Sequence, residues 1–454
     1  MSRQLFGTDG IRGVAGKYPL DPETVHAAGA ALGAWCREHS PAGDSPEVVI
    51  GMDTRESGSW IAAQVAGGLA SEGVKARLAG LITTPGVAYL TKNDAFVAGV
   101  MISASHNPFQ DNGIKVFGHT GYKLPDDDEL KIEQGIFRLK AAGVEAKPAD
   151  LSVDESLDAR YLNYLLSTFP GRLDGFKIVV DCGNGAASHL GPKLLESLGA
   201  SIIKIGCEPD GRNINLNCGA LHVENLCARV VAEGADAGFA FDGDADRCIA
   251  VSSSGAVVDG DAVLLIAARY LKSRGRLTSY DGKPVVVATV MSNLGFQRAL
   301  EREGIALVRT AVGDKYVLEE MIRQGAPIGG EQSGHLIFLE QATTGDGLLT
   351  ALRVLEILSV TGQPLDALTS GLQVYPQKLV NVRVKERKPL NDLSTVKEAI
   401  QSAERQLGDE GRVLVRFSGT EPLLRVMVEG PTNESVDIHC ATIAGAIRQE
   451  LGAV

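Results

Sequence analysis

Ala237-Gly238-Phe239-Ala240-Phe241 runs straight into Asp242-Gly243-Asp244-Ala245-Asp246-Arg247 and leaves through Cys248-Ile249-Ala250-Val251. Two apolar runs of strand length bracket a short acidic loop, so the loop joins two buried strands rather than two helices. Carboxylates on alternate residues can converge their oxygens on one divalent cation. An EF-hand is excluded, because its sixth and twelfth positions need glycine and a bidentate glutamate, where this chain has Arg247 and Ser253. Arg247 sets a cation beside the carboxylates, which suits an anionic ligand and above all a phosphoryl group. Taken alone, a DxDxD pentad also describes a solvated acidic turn.

Upstream, the apolar run Ala95 to Ile102 breaks into Ser103-Ala104-Ser105-His106-Asn107-Pro108, as a buried strand does on emerging into a loop. The carboxyl ends of strands face the ligand crevice in α/β domains. A serine there can carry phosphate, with His106 and Lys115 as proton handlers or charge partners. A serine capping a turn is the plainer reading. Chemistry alone does not choose between Ser103 and Ser105.

Strand-like runs at Val48 to Met52, Phe96 to Ile102, Ile178 to Asp181, Ala237 to Phe241 and Val285 to Val290 alternate with helical patterns. That alternation is the signature of βαβ units. The loops Asp53-Thr54-Arg55 and Asp181-Cys182-Gly183-Asn184-Gly185 follow strands and sit where ligands could be met. Breaks in pattern divide the chain into segments 1–155, 156–257, 258–371 and 372–454. The last reads as a strand from Lys378, a helix near Ser394 to Leu407, strands at Arg412 to Phe417 and Leu423 to Glu429, and a helix from about Glu434, an α+β module. Periodicity shows no internal repeat.

Four loops together resemble the α-D-phosphohexomutase superfamily. Ser105-His106-Asn107-Pro108 with Asp111-Asn112-Gly113-Ile114-Lys115 is similar to its phosphoserine loop, and Asp242 to Arg247 to its metal loop. Gly330-Glu331-Gln332-Ser333-Gly334-His335 looks like its sugar-binding loop, and Arg416-Phe417-Ser418-Gly419-Thr420-Glu421-Pro422 with Arg425 like its phosphate-binding loop. Phe6 to Gly13, Thr289 to Asn293, Val312-Gly313-Asp314 and Thr343 to Gly347 look most like the bacterial subgroup acting on glucosamine phosphates.

The resemblance implies three similar α/β domains with mixed, largely parallel sheets and a smaller C-terminal α+β domain around a central cleft. It implies Mg²⁺ on Asp242, Asp244, Asp246 and phosphorylated Ser105. Ser105, His106, Lys115, Arg12 and Arg247 are the implied catalytic set, Lys115 as a general acid or base whose ammonium pKa would have to be lowered. Glu331, Ser333 and His335 would hold the sugar, and Arg416, Ser418, Gly419, Thr420 and Arg425 the phosphate that is not reacting. The implied reaction interconverts glucosamine 6-phosphate and glucosamine 1-phosphate through a 1,6-bisphosphate that turns round, with hexose 1,6-bisphosphate as activator, supplying amino-sugar nucleotide and cell-wall precursor synthesis. Two residues depart from the pattern. Ala245 stands where glycine is common, which matters only if φ is positive there. Lys315 stands where arginine is frequent and lacks the bidentate fork.

Composition narrows the rivals. The net charge of -12 over 454 residues disfavours nucleic acid, and no basic, aromatic-interleaved tract reverses that. Seven cysteines without CxxC pairs give no disulfide or metal framework and fit a reducing compartment. No run approaches a membrane span, and the motif from Phe6 leaves no room for a cleaved leader, so export is not expected. With the resemblance, this implies a cytoplasmic enzyme, monomer or homodimer, acting on a small phosphosugar. A phosphomannomutase/phosphoglucomutase on the same scaffold, a phosphosugar phosphatase and a non-catalytic binding module are the alternatives.

Overall fold

The computed structural model describes residues 4–7, 9–40, 45–386, 388–417 and 423–452. The chain divides into two compact units, one formed by Met1–Met291 with Ala306–Ser370 and the other by Ser292–Ile305 with Gly371–Val454.

The larger unit holds three mixed sheets. The first contains β1 (Phe6–Gly7), β2 (Gly10–Val14), β3 (Glu47–Met52), β4 (Lys75–Leu81), β5 (Ala98–Ile102) and β6 (Asp111–Gly118) in the order β1-β2-β6-β5-β3-β4. The second contains β7 (Lys177–Asp181), β8 (Ser201–Ile205), β9 (Ala237–Phe241), β10 (Cys248–Ser252) and β11 (Val257–Val258) in the order β11-β10-β9-β7-β8. The third contains β12 (Val285–Thr289), β13 (Ala306–Thr310), β14 (Ile328–Gly330) and β15 (Leu336–Phe338) in the order β13-β12-β14-β15.

One strand order therefore recurs: β6-β5-β3-β4, β10-β9-β7-β8 and β15-β14-β12-β13. Each time the first pair is antiparallel and the other pairings are parallel. This is an internal repeat of topology, and it escapes sequence periodicity because strand order leaves no imprint on residue identity. The expected parallel character holds from the sheet centres out to the β4, β8 and β13 edges, while the opposite margins are antiparallel. Those margins matter, since the Ser105, Asp242–Arg247 and Glu331–His335 loops each connect such an antiparallel pair. Strands β5, β9, β10 and β12 are buried along their whole length, which is why they read as unbroken apolar runs. Strand β6 was concealed by Asn112-Gly113, a pair that ordinarily marks a turn.

The smaller unit contains an antiparallel sheet of β16 (Gln377–Arg383), β17 (Arg412–Phe417) and β18 (Leu423–Glu429) in the order β16-β18-β17. Helices Ser394–Leu407 and Asn433–Leu451 bury Val396, Leu407, Ile443 and Ile447 against Val382, Leu424 and Val426 of the sheet. This is the α+β module expected from the sequence.

Candidate active site

Ser105 sits just beyond β5 with φ 52°, a left-handed conformation that costs a non-glycine residue roughly 1–2 kcal/mol. The strained turn aims its side chain out of the loop, and Oγ donates to Asp242 Oδ2 at 2.5 Å and lies 3.3 Å from His106 Nδ1. Ser103 is the opposite case: its hydroxyl is wholly buried, donates to Asp53 Oδ2 at 2.6 Å and accepts from the Ser105 amide at 2.9 Å. The β9–β10 turn can lie against Ser105 because position 243 is glycine; a Cβ there would stand 2.4 Å from the Ser105 carbonyl oxygen.

Asp242, Asp244 and Asp246 are all buried, and each offers one oxygen within 4.8 Å of the others. Asp242 also accepts from the Arg247 amide at 3.2 Å, and Asp244 Oδ2 accepts from Lys115 Nζ at 2.7 Å and Thr84 Oγ1 at 2.5 Å. Asp244 Oδ1 and Asp246 Oδ1 are buried without a hydrogen-bond partner. Orphaned carboxylate oxygens converging in one place fit a hard, oxygen-preferring divalent cation. Burial, with Asp246 and Asp244 beside it, pushes the Asp242 carboxyl up to about 8. Burial also works on Asp246, but Lys115, His335 and Arg247 outweigh it and hold that carboxyl well below its ordinary range. Ala245 has φ 55°, so the loop does require positive φ at this departure from the family pattern.

Lys115, on β6, is 1 % exposed, with Nζ 2.7 Å from Asp244, 3.1 Å from Asp9 and 3.6 Å from Asp246. The expectation of a lowered ammonium pKa is reversed. Burial disfavours the charge, yet Asp244, Asp9 and Asp246 overcome it and raise the pKa. His106 behaves the other way: burial, then Arg247 and Arg12, lower its imidazole to about 4, leaving it neutral at pH 7. Arg12 pairs with Asp9, and Arg247 Nε lies 3.9 Å from Asp246 Oδ1. Asp9 reaches Lys115 because Gly10 hugs β6, where a Cβ at position 10 would stand 2.2 Å from the Ile114 carbonyl oxygen.

From the third sheet, Glu331 Oε1 accepts from the Gly313 amide at 3.1 Å, and Oε2 lies 3.5 Å from the exposed Ser333 hydroxyl. His335 is turned inward. Its Nε2 accepts from the Gly345 amide at 3.0 Å, and Nδ1 lies 3.6 Å from Asp246 Oδ1. Burial lowers this imidazole, but Asp246, Asp314 and Glu331 raise it to about 9. The Gly345 N–H directed at Nε2 opposes a second ring proton, and whenever the ring is neutral it places the single proton on Nδ1, facing Asp246. Lys123 bridges Asp9 and Asp314 at 2.6 Å each, joining the first and third sheets. Lys315 pairs with Asp126 instead of reaching toward these groups.

In the smaller unit, Arg416 on β17 and Arg425 on β18 are directly paired across the strands. Burial and then Arg425 lower the Arg416 pKa, and Arg425 Nε is buried without a hydrogen-bond partner. Ser418, Gly419 and Thr420 lie outside the described residues.

Sequence reasoning missed Asp9, Lys123, Asn215 and the role of Arg55. Asp53-Thr54-Arg55 was read as a loop open to ligand, but Arg55 and Asp53 form an ion pair at 2.9 Å with both side chains 0 % exposed. The only available signal was an Asp-x-Arg directly after a buried strand. Asn215 lay in a stretch with no motif at all.

Profiles of the family's four domains match along the chain: phosphoglucomutase/phosphomannomutase alpha/beta/alpha domain I at residues 3–142, domain II at 159–255, domain III at 259–375 and the C-terminal domain at 379–446. The chain belongs to the phosphoglucomutase/phosphomannomutase family. Among curated relatives it is 61% identical over 452 residues to the phosphoglucosamine mutase of Solibacter usitatus (strain Ellin6076), covering 100% of both chains. It is 50% identical to the phosphoglucosamine mutase of Koribacter versatilis (strain Ellin345), covering 99% of this chain and 98% of that one. The fold is shared with a family protein from Burkholderia thailandensis at TM-score 0.80 and 24% identity, over 99% of this chain and 98% of that one. It is also shared with Aspergillus fumigatus N-acetylphosphoglucosamine mutase, solved with GlcNAc-6P and magnesium, at TM-score 0.66 and 18% identity, over 99% and 96%. No helix among the described residues is long and apolar enough to cross a membrane.

Proposed function

We propose that this enzyme interconverts glucosamine 6-phosphate and glucosamine 1-phosphate by way of phosphorylated Ser105 and a 1,6-bisphosphate. The observation that carries the chemistry is Ser105 Oγ 2.5 Å from Asp242 within a buried three-carboxylate cluster. The curated relatives carry the choice of sugar. Roles divide among segments 1–155 (phosphoserine), 156–257 (metal loop), 258–371 (sugar loop) and 372–454 (phosphate loop).

Phosphoryl transfer depends on positioning and charge stabilisation, because charge spreads over the equatorial oxygens of the moving group. Asp242, Asp244, Asp246 and the Ser105 phosphate would hold Mg²⁺, which would supply Lewis-acid stabilisation of that group. Lys115, charged and fixed by Asp244 and Asp9, adds a second positive centre, and Arg247 and Arg12 add others. As phosphate leaves Ser105 for the sugar hydroxyl, one proton must leave the sugar and one must arrive at Ser105 Oγ. Neutral His106, 3.3 Å from Oγ, is placed to carry it. Glu331 Oε2 accepts from the substrate, and a C2 ammonium offers it a charge-assisted bond that a hydroxyl does not. Arg416 and Arg425, with Ser418, Gly419 and Thr420, hold the phosphate that is not reacting. After the bisphosphate turns round, Ser105 recovers a phosphate and the isomer departs; hexose 1,6-bisphosphate primes the first cycle.

The test is turnover of glucosamine, glucose and mannose 6-phosphates by enzyme of known phosphorylation state. Preference for glucosamine phosphate is expected. Equal use of the other sugars moves the chain to the phosphomannomutase/phosphoglucomutase activity, and release of inorganic phosphate in place of isomer makes it a phosphatase.

A further inference from the structure

The strained Ser105 backbone is tied at every polar atom. Its N–H donates to Ser103 Oγ, and its carbonyl accepts from Arg55 Nη2 at 2.8 Å and from Asn215 Nδ2 at 2.9 Å. The same two side chains meet again on the Asn107 carbonyl, Arg55 at 2.8 Å and Asn215 at 3.2 Å. Arg55 Nη1 goes on to the carbonyls of Pro108 and Asp111, so one guanidinium gathers three carbonyls of the turn after β5 and that of the first residue of β6. Its charge is matched by Asp53, which also holds Ser103. A neutralised guanidinium can grip carbonyl oxygens without competing for an anion placed on the other side of Ser105.

Asn215 approaches from a different sheet. It lies in the connection after β8, and its amide donates to the Gly183 carbonyl at 2.8 Å. Its side-chain nitrogen stands next to the metal loop, 2.9 Å from where a Cβ on Gly243 would be. One jaw of the grip thus belongs to the part of the chain carrying Ser105, and the other to the part carrying the carboxylates.

We infer that Arg55 and Asn215 are positioning residues: a two-sided clamp on the Ser105 and Asn107 carbonyls that fixes Oγ in register with the Asp242–Asp246 loop. This rests on the functional reading above for its effect on rate, though not for its effect on the loop itself. Misplacement of a reacting group by about 1 Å is enough to lose about a hundredfold in rate. Lysine could not replace Arg55, because a compact ammonium has no planar fork spanning several carbonyls and Asp53 at once.

Asn215→Gly is the informative variant. Asn215 itself has φ 58°, so glycine keeps the backbone at ease and removes only the clamping amide. We expect kcat to fall by about tenfold or more with KM for glucosamine 6-phosphate changed by less than about twofold, the pattern of a lost transition-state alignment. Amide hydrogen exchange across residues 103–111 should accelerate in the same variant, while exchange in the smaller unit is unchanged. Arg55→Lys should show the same pattern more strongly if it folds. Wild-type kcat together with wild-type exchange in Asn215→Gly overturns the clamp, as does a rise in KM alone. If wild-type enzyme does not isomerise the sugar phosphate, the functional reading fails by itself, and the exchange comparison decides the clamp.

Discussion

Ser103 and Ser105, two residues apart on one loop, deliver their hydroxyls to different carboxylates, Asp53 and Asp242. One hydroxyl is spent inside the scaffold and the other faces the acidic cluster. Ser105→Ala should therefore abolish turnover while leaving the fold intact. Ser103→Ala should retain the phosphate acceptor but lower stability by about 1–3 kcal/mol, since a buried carboxylate and a buried amide both lose a partner. Intact mass and peptide mapping of the phosphate, with melts of both variants, check this; phosphate located on Ser103 would reverse the assignment.

Lys115→Met should expose the repulsion that the ammonium now masks among Asp9, Asp244 and Asp246. Removing one partner of a buried ionic cluster costs about 3–5 kcal/mol. A divalent cation restores part of it, so added Mg²⁺ should raise the melting temperature of the variant by more than that of the wild type. Equal shifts would place the cation elsewhere.

Asp244→Asn removes a carboxylate whose Oδ1 has no protein partner. Mg²⁺ binding measured by calorimetry should weaken, and turnover should lose on the order of several kcal/mol of transition-state stabilisation. Wild-type turnover that persists through exhaustive chelation would make the loop structural.

Asp346 caps helix Gly347–Thr361 through the Leu349 amide, and burial, opposed by that bond and the Tyr161 hydroxyl, raises its carboxyl to about 6. Between an unfolded value of about 3.9 and that folded value, the folded chain holds the extra proton, so this stabilising contribution is complete below about pH 3.9 and is lost as pH rises through about 6. Asp346→Asn should be more stable than the wild type at pH 7 by on the order of 1–3 kcal/mol, the gap closing toward pH 4. Urea midpoints across that range test the sign; a gap that widens in acid refutes it.

Arg425→Ala should raise KM for glucosamine 6-phosphate, with a loss of roughly 1.5–3 kcal/mol from one charge-assisted phosphate contact. Ser105 phosphorylation and metal content should stay at wild-type levels. Steady-state kinetics on fully phosphorylated enzyme decide it, and unchanged KM and kcat would separate Arg425 from substrate.

What could be read from the chain was what neighbours in sequence determine. The Asp242–Asp246 spacing needs only a turn, and the strands around it are continuous apolar runs, so loop and hairpin were both legible. The final module was legible for the same reason: Ser394 to Leu407 and Leu423 to Glu429 carry their own periodicity. The charge state of Lys115 was not, because Asp9 and Asp244 reach it from remote parts of the chain. Arg55 was opaque on the same ground, since the carbonyls it gathers lie beyond β5, after an intervening strand and helices. Ser103 and Ser105 are both buried on one loop, so residue chemistry left them open and only the resemblance to the phosphoserine loop pointed to Ser105; what separates them physically is the direction of each side chain.

Gly10 has a consequence for how variation at this protein would be interpreted. Any side chain at position 10 collides with the Ile114 carbonyl and pushes β2 away from β6, carrying Asp9 off Lys115. In a saturation screen scored by growth alone, positions 10 and 105 would look alike, both intolerant of nearly everything. Scoring cellular abundance beside growth would part them: losses at position 105 should leave protein levels intact, while losses at position 10 should deplete the protein, marking it as architecture that a selectivity-engineering library ought to leave untouched.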